Sequence, residues 1–321
     1  MTKQSFSLPD IVSQASGQRG FTLVELAIAL FVIGLLLAGA LIPLSTQMEV
    51  RSITDTRRIM DQISEALIGF AQTNGRLPCP AIATTPTGTV VGGISAGVEN
   101  TTCTTAASVV GVVPWSTLGV PETDAWGRRF TYRVAAVFSD SIASTTFSTS
   151  TATTAPALYA NQVTLPTPPG TQSPVCTFSS TSTQPLPQSS FALCSLGEIA
   201  VLNRTTDAAY SKPTPGVLGS GLAAVFVSHG RNGYGGYQTT GVQISGVTAN
   251  TDEAYNVAGG LSSAVTGSHN SYAFFSRTPA AYTAGCSDTV AGSPLCEFDD
   301  IVYMISAPTL VSRMVSAGRL P

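Results

Sequence analysis

Charge is what this sequence has least of: only 10% of its 321 residues are charged, 15 basic against 18 acidic. Without a concentrated Lys/Arg face there is nothing to neutralise phosphates, and composition excludes nucleic acid as a partner. Histidine is scarcer, with His229 and His269 the only two, so few bases exist for hydrolytic chemistry. There is no C-x-x-C, and neither histidine stands near a cysteine couple, which removes the common zinc spacings. A D-x-D-x-[DN]-G calcium loop is absent as well.

What is there is Ser, Thr, Gly and Ala in abundance, in a chain long enough for an anchor and one large or two small domains. The six cysteines form three sequence-local couples. An even count in an exported chain reads as disulfides, although many connectivities are open. Sequential pairing is the expectation: Cys79 with Cys103, Cys176 with Cys194, and Cys286 with Cys296. Buried free thiols are the other reading.

The stretch RGFTLVELAIALFVIGLLLAGALIP, Arg19 to Pro43, carries one acid, Glu25, near the head of an apolar run. Leu26 to Ile42 lacks charge for roughly 17 residues, the lower limit of a membrane-spanning helix. About eleven Leu, Ile, Val and Phe residues each favour insertion by roughly 0.3 to 0.6 kcal/mol, and an acid at the edge costs less than one at the centre. A span over about residues 23–44 is therefore expected despite Glu25. A secretory signal is cut after its apolar stretch, whereas here Arg19-Gly20 precedes it. A cut at that point removes residues 1–20 and makes the apolar helix the new amino terminus.

In this arrangement the chain resembles the type IV prepilins and type II secretion pseudopilins, whose signature is a Gly followed by F-T-L-x-E and an apolar run. Gly20, Phe21, Thr22, Leu23, Val24 and Glu25 match it, over less than a tenth of the chain. The resemblance implies cleavage after Gly20 by prepilin peptidase, N-methylation of Phe21, and pairing of Glu25 with the amino terminus of a neighbouring subunit during assembly. It also implies a bacterial inner-membrane precursor with a single pass and a periplasmic head, whose partners are membrane lipid, the assembly platform and other pilin or pseudopilin subunits. The destination is a pilus, a pseudopilus or the cell surface. An ordinary signal anchor with a snorkelling acid is the plain alternative.

Beyond Pro43, where a kink is expected, Ile53, Met60, Ile63, Leu67 and Phe70 recur at helical spacings, with Arg57, Arg58, Asp61 and Glu65 between them. Asn74-Gly75 is the natural stop. The expected fold is α+β: an N-terminal helix over 21–75, membrane-spanning in its first half, then an antiparallel, β-rich, disulfide-bonded head over 76–321. Candidate strands are TVVGGIS, RRFTYRVAAVF, GEIAVLN, GLAAVFVSH, NSYAFFSR and DDIVYMIS. TDAWGRRFTYRV resembles the D-x-W-G-x-x-Y segment that enters a strand in major pseudopilins. Residues of about 139–190 turn to Ser, Thr, Pro and Ala, read as an extended insertion. The GRLP at Gly75 recurs at Gly318 and reads as coincidence.

Several motifs invite chemistry. GISAG, Gly93 to Gly97, matches the G-x-S-x-G nucleophile elbow in letters, but the following VENTTCTTA is a poor helix, and an exported hydrolase acting through Ser95 is a rival reading only. Ser228-His229 point to opposite faces if on a strand, and a polar histidine in a glycine-rich hairpin turn is the expectation. Tyr234 and Tyr237 could stack on a sugar. Asp299 and Asp300, with Glu297 nearby and Asp252-Glu253 elsewhere, could supply oxygens to calcium; caps and solvated turns are the plainer account, so no metal or other cofactor is assigned. No catalytic residue is assigned, and the chain reads as a structural subunit rather than an enzyme, or else as a surface adhesin whose head binds a ligand.

Overall fold

A computed structural model describes residues 22–101, 103, 108–139, 189–191, 197–204, 216–246, 251–262, 272–288, 290 and 293–320, with the side chains of 36–46 and 261–262 excepted. The chain divides into two compact units, residues 1–51 and 52–321. The predicted leader, the Cys176–Cys194 couple and nearly all of the Ser/Thr-rich insertion lie outside the described residues.

Helix α1, Leu23–Asn74, begins in the first unit and is not interrupted at Pro43. Thr22 starts it: its carbonyl accepts from Leu26 N at 3.1 Å and its hydroxyl accepts from Glu25 N at 3.3 Å. Threonine followed three residues later by glutamate is a capping-box sequence, which satisfies amide groups that the first turn leaves open. Leu23, Val24, Leu26, Ile28, Leu30, Phe31, Val32, Ile33 and Leu35 are all exposed. Apolar groups on every side of a helix mark a surface meant for lipid or other helices. Among the described residues, no helix is long and apolar enough to cross a membrane; residues 36–46, the second half of the predicted span, are the ones whose side chains lie outside the description.

In the second unit α1 becomes amphipathic. Met60, Ile63, Leu67 and Ala71 are fully buried, while Arg57, Arg58, Asp61 and Glu65 face solvent. Each large apolar side chain removed from water contributes roughly 1.5–3 kcal/mol. Gly75, at φ 71°, ends the helix with its N–H on the Ala71 carbonyl at 2.7 Å, the left-handed stop that glycine tolerates.

The head is built on one seven-stranded sheet. Its path runs β3 (Val110–Val112), β5 (Thr131–Val134), β7 (Gly216–Ser228), β6 (Ile199–Asn203), β10 (Tyr272–Phe275), β9 (Leu261–Ser262), and β11 (Ile301–Ser306) pairs β7. Hairpin β1–β2 (Val90–Val91, Ile94–Ser95) and the pair β4–β8 (Arg128–Arg129, Tyr237–Gln238) stand apart. Short helices α2 (Trp115–Leu118), α3 (Ala136–Ser139) and α4 (Asp252–Val257) and the longer α5 (Ala307–Ser316) complete it. The main core gathers Met60, Ile63 and Leu67 of α1, Val225 and Val227 of β7, and Leu310 and Met314 of α5.

The sheet is mixed, which corrects the antiparallel expectation. β6 and β10 run parallel, Tyr272 against Ile199 through Phe275 against Leu202. Parallel neighbours need a long crossover, and residues 204–271 supply it. Both strands are buried on two faces: Ile199, Val201 and Phe274 join the main core, whereas Ala200, Leu202, Ala273 and Phe275 join a second cluster with Phe298. Their unbroken apolar runs, rather than alternation, are what two-sided burial demands.

Helix α5 starts at Ser306, whose hydroxyl accepts from Thr309 N at 3.2 Å. Gly318, at φ 70°, follows its end much as Gly75 follows α1. The GRLP echo thus has a common cause, a left-handed glycine after a helix and then, two residues on, a buried leucine, Leu77 or Leu320. Arg319 turns back onto α1, donating to the carbonyls of Gln72 at 2.7 Å and Thr73 at 2.6 Å. The last turn of α1 has no basic residue of its own, so these open carbonyls are met from the far end of the sequence.

Candidate functional site

At the amino terminus, Glu25 sits exposed in the first turn of α1, where the helix dipole favours a carboxylate. Gly20 and Phe21 lie outside the described residues.

Among the described residues the expected disulfides Cys79–Cys103 and Cys286–Cys296 are formed, with Cα atoms 5.6 and 4.9 Å apart. The first ties the segment after α1 to that before β3. Beside it Arg76 pairs with Glu99 at 2.9 Å, and Glu99 accepts from Cys79 N at 3.1 Å. The D-x-W-G turn is held from three sides. Asp124 Oδ1 accepts from Trp126 N and Arg128 N, each at 2.9 Å, Asp124 Oδ2 accepts from Ser228 Oγ at 2.6 Å, and Thr56 of α1 accepts from Ala125 N at 3.2 Å. Burial raises the Asp124 carboxyl above its usual range against these donors.

The motifs with enzymatic letters resolve differently. Ser95 is exposed on β2, after the Gly92-Gly93 turn of a hairpin, both glycines at positive φ. The strand-to-helix context of a nucleophile elbow is not present there. Ser228 ends β7 and His229 leads into the glycine-rich turn that the sequence predicts, but both are fully buried. The Ser228 hydroxyl is engaged by Asp124, while His229 Nε2 lies 2.8 Å from Thr131 Oγ1 and Nδ1 lies 3.3 Å from Asp300 Oδ1. A hydroxyl, an imidazole and a carboxylate are thus in a row, holding β5, the turn after β7 and the approach to β11 together. Tyr237 packs on Ala81, Val112 and Trp115 rather than presenting a free stacking face, and Tyr234 is half-buried.

Two buried charge clusters flank α4. In one, Asp252 receives Arg204 Nε at 2.6 Å and Arg277 Nε at 3.0 Å, and Arg277 Nη2 reaches Asp288 Oδ1 at 3.3 Å and the Cys296 carbonyl at 2.8 Å. Asp288 also accepts from Asp252 N at 2.8 Å and Cys296 N at 2.9 Å. The Cys286–Cys296 loop is thereby fastened to α4. Burial and then the neighbouring Asp288 push Asp252 up to about 6.

The second cluster is acidic alone. Glu253, Asp299 and Asp300 bring donor oxygens within 4.8 Å of one another. Burial first, and then Asp300, push Glu253 up to about 8; burial pushes Asp299 up to about 6. Like charges so close in a dry site do not all ionise unaided. The sequence marked Asp299 and Asp300 with Asp252-Glu253 elsewhere, and the structure brings Glu253, some 46 residues upstream of Asp299, to the two aspartates.

Comparison with known proteins adds one finding at the other end of the chain. Residues 15–41 match the prokaryotic N-terminal methylation motif, the signature of type IV pilins and pseudopilins. That motif supports a pilin- or pseudopilin-like precursor. No curated protein and no solved structure matches the chain.

Proposed function

We propose that the chain is a structural subunit of a type IV pilus or type II secretion pseudopilus, without catalytic activity, made as a prepilin and assembled through α1. The observation that carries this reading is the methylation motif at residues 15–41 leading into a helix whose large apolar residues from Leu23 to Leu35 are exposed. The precursor is held in the inner membrane by a single pass over about residues 23–44, with its head in the periplasm. Prepilin peptidase cuts after Gly20 and Phe21 is methylated. The helix then leaves lipid for a bundle of like helices. Glu25 meets the amine of another subunit there; at about 4 Å and an effective dielectric near 20 the attraction is roughly 4 kcal/mol, enough to bias register. The head over residues 76–321 is bulky, which favours a minor or tip position.

Intact mass and amino-terminal sequencing of protein taken from membranes, with and without prepilin peptidase, tests this. A mature chain beginning at methylated Phe21 only when the peptidase is present is the expected result. A chain still starting at Met1, or cut beyond the apolar run, defeats the reading. Glu25→Val is expected to insert and be cleaved normally yet enter sheared filaments at a small fraction of the wild-type level. Normal incorporation of that variant would remove the role given to the acid.

A further inference from the structure

Among the described residues, the longest open sheet edge of the head is β11. It pairs with β7 alone, and a strand has two edges, so its outer row of N–H and C=O groups has no described strand beside it. The edge at β3 differs, because Ala81 bridges Val112 there. Edges are commonly guarded by charge or proline, whereas Ile301–Ser306, IVYMIS, contains neither. Ile301, Val302 and Tyr303 are half-buried, and Met304 is exposed.

The apolar rim continues onto β7. Its residues 216–220 pair with β6 and with no other described strand, and Val217 and Leu218 are 51% and 50% exposed. Met304 borders them: its sulfur would lie 2.9 Å from a Cβ placed on Gly219. An unpaired backbone row beside a contiguous apolar patch is the mark of a protein-binding surface.

We propose that this edge joins two copies of the chain, their β11 strands pairing antiparallel about a two-fold axis at Tyr303. A two-fold axis lets one patch serve both sides of an interface. The register follows from the faces. Ile301, Tyr303 and Ile305 alternate with Val302, Met304 and Ser306, and residues directly opposite must share a face if the core side is to continue across the junction. With the axis at Tyr303, Ile301 meets Ile305 of the second copy, Val302 meets Met304, and every apolar residue of the strand meets another. An axis at Met304 also keeps the faces but sets Val302 against Ser306. Charge selects a copy as the occupant. The edge has none with which to repel its own kind, and the axis lays the acidic approach to each β11, Glu297 and Asp299, alongside the start of α5 on the other chain. That helix has no acid in its first turn, where its dipole favours one. Asp299 falls about eight positions from its own symmetry mate, roughly 27 Å at 3.4 Å per residue, so the two acids do not oppose each other. This inference concerns the head alone and does not rest on the pilin reading.

The test uses the full chain in detergent. In Met304→Cys, residue 304 and its mate become diagonal neighbours about 7–8 Å apart, and a short bis-maleimide matched to that distance is expected to give a dimer whose linked peptide contains residue 304 twice. Thr240→Cys, at an exposed site in the turn after β8, controls for chance encounters and for association through α1, and should yield little of it. In the wild type, protection of the outer-edge amides of β11 against hydrogen exchange should rise at least about tenfold with chain concentration. Met304→Lys should abolish that rise, because a lysine on an edge bars strand addition. Cross-linking of Met304→Cys no better than that of Thr240→Cys, or exchange that ignores concentration, would overturn the proposal. So would cross-links from residue 304 in membranes that reach only another protein or another segment of the same chain. If Met304→Lys does not fold, the wild-type exchange and the cross-link decide.

Discussion

Replacing Arg277 by methionine is expected to destabilise the head by about 3–5 kcal/mol, the cost of stranding buried charges when one partner of a paired set is removed. Arg277 is buried and stacks its guanidinium 4.7 Å from the Phe298 ring centre while bridging Asp252, Asp288 and the Cys296 carbonyl. Methionine conserves much of the packing volume, so the loss reports charge and hydrogen bonding rather than a cavity. Asp252 would keep Arg204, but Asp288 would face it with one cation fewer. Urea unfolding at fixed pH measures the change; a loss below about 1 kcal/mol would mean that water enters and screens the site. The pH dependence has a definite sign. The Asp252 carboxyl lies at about 6 in the fold against an ordinary 3.8. Between those values the folded chain holds a proton that the unfolded chain has released, so its contribution to stability falls as pH rises through that window. Removing Arg277 raises Asp252 further, and the variant should recover part of its loss when acidified from pH 7 to pH 5.

Asp124→Ala is the second large effect, expected at about 2–4 kcal/mol. Truncation orphans the Trp126 and Arg128 amide groups and the Ser228 hydroxyl together. Hydrogen bonds to a charged group contribute roughly 1.5–3 kcal/mol each. The total is reduced because Asp124 is itself costly to bury as an anion. Asp124→Asn, which keeps one acceptor oxygen, should lose about half as much. The turn also donates to α1, from the Ala125 N–H to the Thr56 hydroxyl, so hydrogen exchange of the Ala125 amide should quicken in both variants. Unchanged exchange there would show that α1 holds the turn without help from the carboxylate.

Much of this architecture is legible in the residues. The spacing of Met60, Ile63 and Leu67 gives the face of α1 that meets the sheet, because a helix has one period and one buried stripe. The strand segments stand out between glycine and proline punctuation. Their directions do not: IAVLN and YAFF look alike whether parallel or antiparallel, and only the long return between them decides. The acid at Glu25 is recognisable both as part of a motif and, with Thr22, as a cap. The buried site is harder. Ser228, His229, Glu253 and Asp300 are polar letters that local reasoning assigns to turns, and their burial follows from strands that meet only in three dimensions. The buried arginines, Arg129 and Arg133, are missed for the same reason; long chains that ordinarily reach water are here consumed by carbonyls and rings, as Arg129 is by Ala83, Thr85 and Thr239 oxygens and the Trp115 ring.

The return of Arg319 onto Gln72 and Thr73 makes the base of α1 a length gauge. A chain cut before Arg319 would leave the carbonyls of Gln72 and Thr73 without that donor and would lose Leu320 from the main core. The mark of such a cut would be a frayed end of α1 at Gly75.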